Sequence, residues 1–533
     1  MNHTHLLHEL VQEASLRSPE TEALVYREDT LTYQALADAC QRFAGAVCAA
    51  GLTRGDRIAI YLEKRFEAVI ASFGACWAGC VFVPINPLLK PEQVAYILRD
   101  CGVRLLVTTT DRLPALLPAL VACPDLLHIV VTPHLPDEVP AIDGQPLQQG
   151  WDEFHQSGTS PLHRVIDSDM AAILYTSGST GKPKGVVLSH RNMIAGAKSV
   201  ASYLENRAGD VVLAALPLSF DAGFSQLTTS FHAGARVVLL NYLFPKDVLN
   251  AIDRHHVTGL TAVPPLWIQL TQSTWGEQSG RTLRYVANTG GRMPRNTLDM
   301  LRARLPQARV FLMYGLTEAF RATYLDPSQL DLRPDSIGKA IPNSEILVLR
   351  SDGTRCAPNE PGELVQRGPL VSMGYWNAPE KTAERFRALP ATVAGGRTEL
   401  PLPEIAVFSG DTVRMDDEGY LYFIGRNDEM IKTSGYRVSP TEIEEIVLAT
   451  GLVLECAAFG VPDPTLGEAI VVIAHTRADE KVDSARLVTA CRRLAPPYMV
   501  PARFVLAPDR LPRNPNGKLD RTLLGQRLQP AEP

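Results

Sequence analysis

Apolar residues recur at helical spacing over residues 33–50, and Gly51 ends the run. An apolar stretch at 57–61 reads as a strand, 66–78 returns to helical spacing, and 81–84 is a second short strand. Strands alternating with helices predict a largely parallel sheet covered on both faces. Residues 133–161, rich in Pro, Gly and Gln, read as a surface excursion. The near-continuous apolar run at 170–175 then predicts a buried strand. Further strands are expected at 235–240, 259–263, 283–287 and 309–313, with helices between them. The helix after Met293 takes Pro294 in its first turn, where a missing N–H costs nothing.

From residue 344 the pattern shifts to shorter strands separated by turns, at 345–349, 362–366 and 420–424. This predicts a small antiparallel β subdomain, with 388–404 as a mobile loop. Past a boundary near 426–428 the chain reads as a compact unit: a helix at 440–449, strands at 457–461 and 469–475, a helix at 484–494 and a strand at 503–506. The expected fold class is α/β. A large N-terminal domain (1–425) would comprise two α/β subdomains plus the small antiparallel β subdomain. A hinge (426–428) would lead to a small mobile α+β C-terminal domain (429–525) and a polar tail (526–533).

Composition narrows the function classes. The chain has 533 residues, 45% hydrophobic and 21% charged, enough for a large core without disulfides. A net charge of −6 argues against nucleic acid as the main partner, because a phosphate backbone rewards clustered Lys and Arg. Nine cysteines without framework spacing point to a reducing cytoplasm. Cys76 and Cys80 read as core residues on one face of a buried helix rather than as metal ligands. Residues 1–13 lack a basic segment followed by an apolar one, and no run of about 18 apolar residues marks a membrane span.

Four segments carry candidate chemistry. The first is Tyr175, Thr176, Ser177, Gly178, Ser179, Thr180, Gly181, Lys182, Pro183, Lys184 and Gly185, directly after a predicted buried strand. Glycines let backbone N–H groups wrap an anion, hydroxyls donate to phosphate oxygens, and lysines add charge. A plain polar turn uses the same residues, and Pro183 breaks the Walker A spacing. The second is Met313-Tyr314-Gly315-Leu316-Thr317-Glu318, again past a predicted strand, where ligands of open α/β sheets sit. There a tyrosine can stack on a purine, a threonine can bond a phosphate and a glutamate can hold Mg²⁺. The third joins Gly410-Asp411-Thr412 to Gly425-Arg426-Asn427-Asp428; Asp411 suits the two hydroxyls of a ribose or a simple β-turn. The fourth, Asn514-Pro515-Asn516-Gly517-Lys518, is a turn that projects one lysine, as a solvated charge or toward a site.

In this order and at these separations the segments resemble the acyl-adenylate-forming superfamily: AMP-forming acyl-CoA synthetases, peptide-synthetase adenylation domains and luciferases. The resemblance runs from about Pro19 to Arg521. It implies that residues Thr176 to Lys184 embrace the β- and γ-phosphates of ATP, and that Tyr314 lies on the adenine. Thr317 would contact the α-phosphate, Glu318 the Mg²⁺ and Asp411 the ribose, and Arg426 would help hold the nucleotide. Asp428 would be the hinge, Lys518 would bridge the substrate carboxylate and the α-phosphate, and Gly435 and Arg437 would line the thiol's approach. The implied reaction turns a carboxylic acid into an acyl-adenylate, releasing pyrophosphate, and then forms a thioester. The acceptor is CoA or, in the alternative reading, the phosphopantetheine of a separate acyl carrier protein. A catalytically inactive nucleotide sensor is a remote third reading.

The acid pocket is read from Phe220, Asp221, Trp267, Asn288, Thr289, Gly290, Gly291 and Met313. Many acyl-CoA synthetases carry a histidine where Phe220 stands. Amino-acid-adenylating relatives carry Phe-Asp, their aspartate accepting the substrate's ammonium. Asp221 either does the same or caps the helix that follows it. Segments 216–226, 319–323 and 333–339 further resemble bacterial acyl-CoA ligases associated with exosortase and exopolysaccharide systems.

Overall fold

The helix expected at 33–50 forms as Tyr33–Ala49. The Thr32 side chain accepts from Ala35 N at its start, and it stops before Gly51, which sits at a φ of 84°. The computed structural model describes residues 4–135, 146–156, 158, 160–176, 183–390, 393, 402–426, 430–433, 436–463, 466–476, 482–495, 497–514 and 517–528. Among these residues the chain builds four sheets.

A seven-stranded sheet runs Leu147–Gly150, His128–Thr132, Val103–Thr109, Arg57–Ile60, Val81–Pro84, Met170–Thr176, Lys184–Ser189. Only its last pair is antiparallel. A nine-stranded sheet carries a parallel centre of Arg309–Tyr314, Tyr285–Asn288, Gly259–Ala262, Val211–Ala214, Arg236–Leu239 and Glu22–Tyr26. Helices fill the space between the two sheets. Phe224, on helix Asp221–Ala233, stacks on Phe82 with centroids 4.7 Å apart and on Phe73 at 5.7 Å. That aromatic layer fixes where helix Asp221–Ala233 begins, and so where Asp221 stands.

The third sheet is antiparallel, from Glu345–Leu349, Gly362–Arg367, Ile405–Met415, Phe386–Ala388 and Leu421–Arg426. The fourth contains Ile431–Thr433, Tyr436–Val438, Val453–Asp463, Gly467–Thr476 and Arg503–Ala507. Ile443, Val447, Val472, Leu487 and Phe504 form a core of this C-terminal part, separate from the cores of the two large sheets. The architecture is the expected one of a large N-terminal α/β body and a small C-terminal α+β unit.

Several local expectations need correction. Residues 133–161 are not a simple excursion. Leu147–Gly150 adds an edge strand, and Trp151 and Phe154 of helix Trp151–Gln156 are buried against Phe43. Pro294 is the N-cap rather than the first helical residue, at ψ 138° before helix Arg295–Arg304. Cys80 lies beyond the end of helix Phe66–Trp77; it is buried, as Cys76 is, but does not share its helix face. Within 388–404, Leu389 and Val393 are buried against Leu347 and Phe408, so these two anchor the segment to the third sheet. No cluster of His, Cys, Asp or Glu that could hold a metal by itself occurs among the described residues. No helix among them is long and apolar enough to cross a membrane.

Candidate active site

The carboxyl ends of the parallel strands Tyr285–Asn288 and Arg309–Tyr314 lie side by side at one edge of the sheet, the edge where ligands of parallel sheets sit. Tyr314 ends the second strand, and its hydroxyl donates to Asp411 Oδ2. Asp411 is held by the third sheet, where its N–H donates to Ser409 Oγ at 3.0 Å and it pairs in register with Arg426. Arg426 Nε stands 3.8 Å from Asp411 Oδ1. Burial pushes the Asp411 carboxyl above its ordinary range, against the smaller downward pulls of Arg426 and Tyr314. Asp411 Oδ1 is buried without a hydrogen-bond donor among the described residues. An acceptor left that way costs about 1–3 kcal/mol and suits an incoming hydroxyl.

Past Tyr314 the chain makes a short 3₁₀ turn, Thr317–Ala319. Glu318 Oε1 accepts the Tyr375 hydroxyl at 2.6 Å, and Glu318 O accepts Ser372 N at 2.9 Å. Tyr375 in turn lies under Lys184, whose Nζ is 5.5 Å from the ring centroid. The strand leaving the glycine-rich segment is tied to the same place, because Trp376 N donates to Gly185 O at 2.8 Å and Val187 N to Gly374 O at 3.0 Å. Burial, with the charges of Lys381 and Arg385, lowers the Lys184 ammonium's pKa, while Glu318 partly restores it. Ser177, Gly178, Ser179, Thr180, Gly181 and Lys182 lie outside the described residues, but both flanks, Thr176 and Lys184, are paired across strands Met170–Thr176 and Lys184–Ser189.

The C-terminal unit reaches the segment that follows strand Tyr285–Asn288. Gly290 has a φ of 75°, and a Cβ built on it would stand 4.0 Å from Lys518 Cε and 3.1 Å from Val263 Cγ1. Lys518 is presented by a tight turn in which its N–H donates to Asn514 Oδ1 at 3.1 Å and Gly517 takes a φ of 77°. Arg292 bonds Asp335 Oδ1 at 2.6 Å and, through its other terminal nitrogen, Glu445 on helix Pro440–Ala449. One arginine thus bridges the large body and the small unit beside Lys518. Asp428 and Gly435 lie outside the described residues; Arg437 falls on strand Tyr436–Val438, and of Arg437 itself only the backbone is described.

The acid-pocket candidates divide. Asn288 and Thr289 are buried, with Asn288 Nδ2 donating to Gly291 O at 2.8 Å. Met313 is buried and its sulfur accepts the Tyr203 hydroxyl at 3.0 Å. Trp267 departs from expectation: it has no exposed surface, its indole donates to Ala262 O at 3.2 Å, and it belongs to the core under the nine-stranded sheet. Phe220 is the N-cap residue of helix Asp221–Ala233, with no side-chain cap bond. Asp221 is therefore not the cap; it is the first helical residue, and its carboxylate pairs with Arg321 at 3.0 Å.

Sequence reasoning missed Tyr375 and Arg321. Tyr375 sits in the run Met373-Gly374-Tyr375-Trp376-Asn377, a glycine turn beside two large aromatics, which was the available signal. Arg321 stands three residues past Glu318, and nothing local marks it as a partner for Asp221, 100 positions earlier.

Comparison with known proteins bears directly on this arrangement. Residues 11–376 match the family described as AMP-binding enzyme, and residues 442–518 match the AMP-binding enzyme C-terminal domain. The chain is 30% identical over 538 residues to an L-proline–[L-prolyl-carrier protein] ligase of Pseudomonas fluorescens, spanning 98% of this chain and 99% of that one. It is 28% identical over 547 residues to a long-chain-fatty-acid–CoA ligase of Salmonella typhimurium, spanning 96% and 92%. The solved structure of O-succinylbenzoate coenzyme A synthetase from Bacillus subtilis, in complex with ATP and magnesium ion, superposes with a TM-score of 0.81. It shares 28% identity and covers 97% of this chain and 99% of that one.

Proposed function

Because the chain belongs to the AMP-binding enzyme family, we propose that it activates a carboxylic acid with ATP, as an AMP-forming acid–thiol ligase, and transfers the acyl group to CoA in the cytoplasm. The carrying observation is the placement of Lys518 beside Gly290, just past the carboxyl end of the strand that neighbours the one ending in Tyr314, whose hydroxyl bonds Asp411. Relatives named for CoA and for a carrier protein support an acid–thiol ligase of either acceptor type.

The chemistry accounts for those residue types. A carboxylate must attack an α-phosphorus that already carries negative charge, and like charges a few ångströms apart repel strongly once water is excluded. The Lys518 ammonium lowers that barrier by sitting between the two anions, and Thr317 donates to the α-phosphate. Asp411 Oδ1, buried with no hydrogen-bond donor among the described residues, takes a ribose hydroxyl, and Tyr314 supports both Asp411 and the base. Glu318, oriented by Tyr375, is a single hard oxygen donor, which suits Mg²⁺ bound jointly with substrate phosphates and water. When bound, the ion neutralises charge on the departing pyrophosphate. Lys184 and the residues from Thr176 to Lys182 hold the outer phosphates. Once the adenylate forms, Lys518 must withdraw so that a thiol can reach the same carbonyl. Rotation of the C-terminal unit about Asp428 achieves this and brings Gly435 and Arg437 to the thiol's path.

The test is exchange of labelled pyrophosphate into ATP with fatty, aryl and amino acids, repeated with CoA to detect thioester. Acid-dependent exchange with CoA-dependent thioester formation is the expected result. Exchange that yields thioester only with a carrier protein would reassign the acceptor.

A further inference from the structure

Strand Val211–Ala214 belongs to the same parallel sheet as Tyr285–Asn288 and Arg309–Tyr314, so residues 215–221 leave that sheet at the edge where the nucleotide residues gather. Asp221 opens the next helix at that edge. A lone carboxylate there would attract a cation. It is not alone: Arg321 Nη1 lies 3.0 Å from Asp221 Oδ2, with side chains only 3% and 16% exposed. The helix N-terminus adds a second favourable interaction for the same carboxylate. The Asp221 charge is satisfied within the protein.

The position of Arg321 is imposed by its neighbours. Phe320 takes a φ of 58° and a ψ of −48°, and Arg321 N donates back to Ala319 O at 2.6 Å. This is a γ-turn at positive φ, a rare and strained conformation for a bulky residue. Packing holds it: the Phe320 ring is fully buried and fills the space over Gly196, where any Cβ would come within 2.3 Å of it. Gln366 Nε2 secures the next carbonyl, Arg321 O, at 2.7 Å. The turn reverses the chain just past Glu318 and aims the guanidinium at Asp221. The Arg321 charge also acts on Tyr203, which bonds Met313. Arg321 Nε is buried with no hydrogen-bond partner among the described residues.

We propose that the Asp221–Arg321 pair is a specificity determinant that restricts the acid substrate to carboxylic acids without an α-ammonium group. A substrate ammonium brought to Asp221 meets a guanidinium already in place and must either displace it or bear its repulsion. A neutral α-carbon meets no such conflict, and the spare Arg321 donor favours an acceptor over a donor on the incoming acid. The inference deepens the acid–thiol ligase reading and rests on it.

Pyrophosphate exchange with matched pairs tests it: cyclopentanecarboxylate against L-proline, hexanoate against norleucine, 3-phenylpropanoate against phenylalanine. For wild type the ammonium-free member of an accepted pair is expected to lead in kcat/KM by about 100-fold or more. Arg321→Met bares the Asp221 charge and should shift that ratio toward the amino acid by at least about tenfold. Because an uncompensated buried charge can unfold the variant, the neutral double variant Asp221→Asn/Arg321→Met serves beside it. It is read by the same kcat/KM ratio, which should show no shift toward the amino acid, because no bare carboxylate remains to attract the ammonium. Wild-type exchange with an amino acid as good as with its partner overturns the inference alone. Absence of exchange with every acid overturns the adenylate-forming reading, and this inference with it.

Discussion

Tyr375 donates its hydroxyl hydrogen to Glu318 Oε1 at 2.6 Å while its ring faces Lys184. One side chain thus fixes the proposed metal-binding carboxylate and the last lysine of the phosphate segment. Tyr375→Phe removes the hydroxyl and leaves the ring, with its edge contact to Phe386, in place. Loss of such an orienting partner typically costs about 10–100-fold in metal affinity or activity. The expected result is a fall of about tenfold in pyrophosphate exchange and a higher Mg²⁺ concentration at half-maximal rate. An unchanged Mg²⁺ titration would remove Tyr375 from this role.

Lys518 stands beside Gly290 by virtue of a turn far along the chain, so its charge is separable from the rest of the site. Lys518→Ala should lower acyl-adenylate formation by about 10²–10³-fold, the scale of a lost electrostatic stabiliser. Thioester formation from supplied acyl-adenylate should be far less affected, because the lysine must leave before the thiol arrives. Equal loss in both half-reactions contradicts the assignment.

Much of the site was readable in the sequence because its signatures are local. A glycine turn, a carboxylate and a lysine are each fixed by their immediate neighbours, as at Gly410-Asp411 or Asn514–Lys518. What escaped depends on contacts between distant segments. Leu147–Gly150, with two glutamines and a glycine, carries no strand propensity of its own and is a strand because it pairs with His128–Thr132. The polar run around it concealed Trp151 and Phe154, which are buried against Phe43. The sequence leaves Asp221 open between helix cap and ammonium site; in the structure it is the first helical residue and pairs with Arg321, which a strained turn at Phe320 positions and no residue preference announces.

Arg292 links Asp335 on the large body to Glu445 on the C-terminal unit. Its side chain is 45% exposed and that of Glu445 35%, so the pair contributes no more than about 1 kcal/mol and is screened by salt. That is still a factor of about five in the population of the orientation that brings Lys518 to Gly290. Glu445→Arg should therefore slow adenylation several-fold at low ionic strength, with less effect at high salt. The swap Arg292→Glu/Glu445→Arg should recover part of the loss. Failure of the swap to recover any activity would show that the contact does not bias the orientation.

The N-terminal segment offers a pH-dependent test of stability. His8 and His190 are 7% and 1% exposed, with rings meeting edge to face, and His8 stacks on Trp77 at 5.1 Å. Leu7 N–H donates to His190 Nδ1 at 3.0 Å, which requires that nitrogen to be unprotonated. Burial lowers His8 to about 4 and, with the charge of His8 added, lowers His190 to about 3; Glu9, Asp167 and Asp169 oppose this more weakly. An unfolded histidine titrates near ~6.5, so between there and about 4 the unfolded chain binds protons that the folded one refuses. Stability is therefore complete above ~6.5 and falls as pH drops, by about 3 kcal/mol for a shift of the size at His8. The urea midpoint should decrease on going from about pH 7 to about pH 4.5, with amide exchange in helix Glu9–Arg17 rising before that of the sheets. The double variant His8→Phe/His190→Asn keeps the stack and an acceptor for Leu7 but cannot titrate, and its acid dependence should flatten. An unchanged acid slope in that variant would place the sensitivity elsewhere in the molecule.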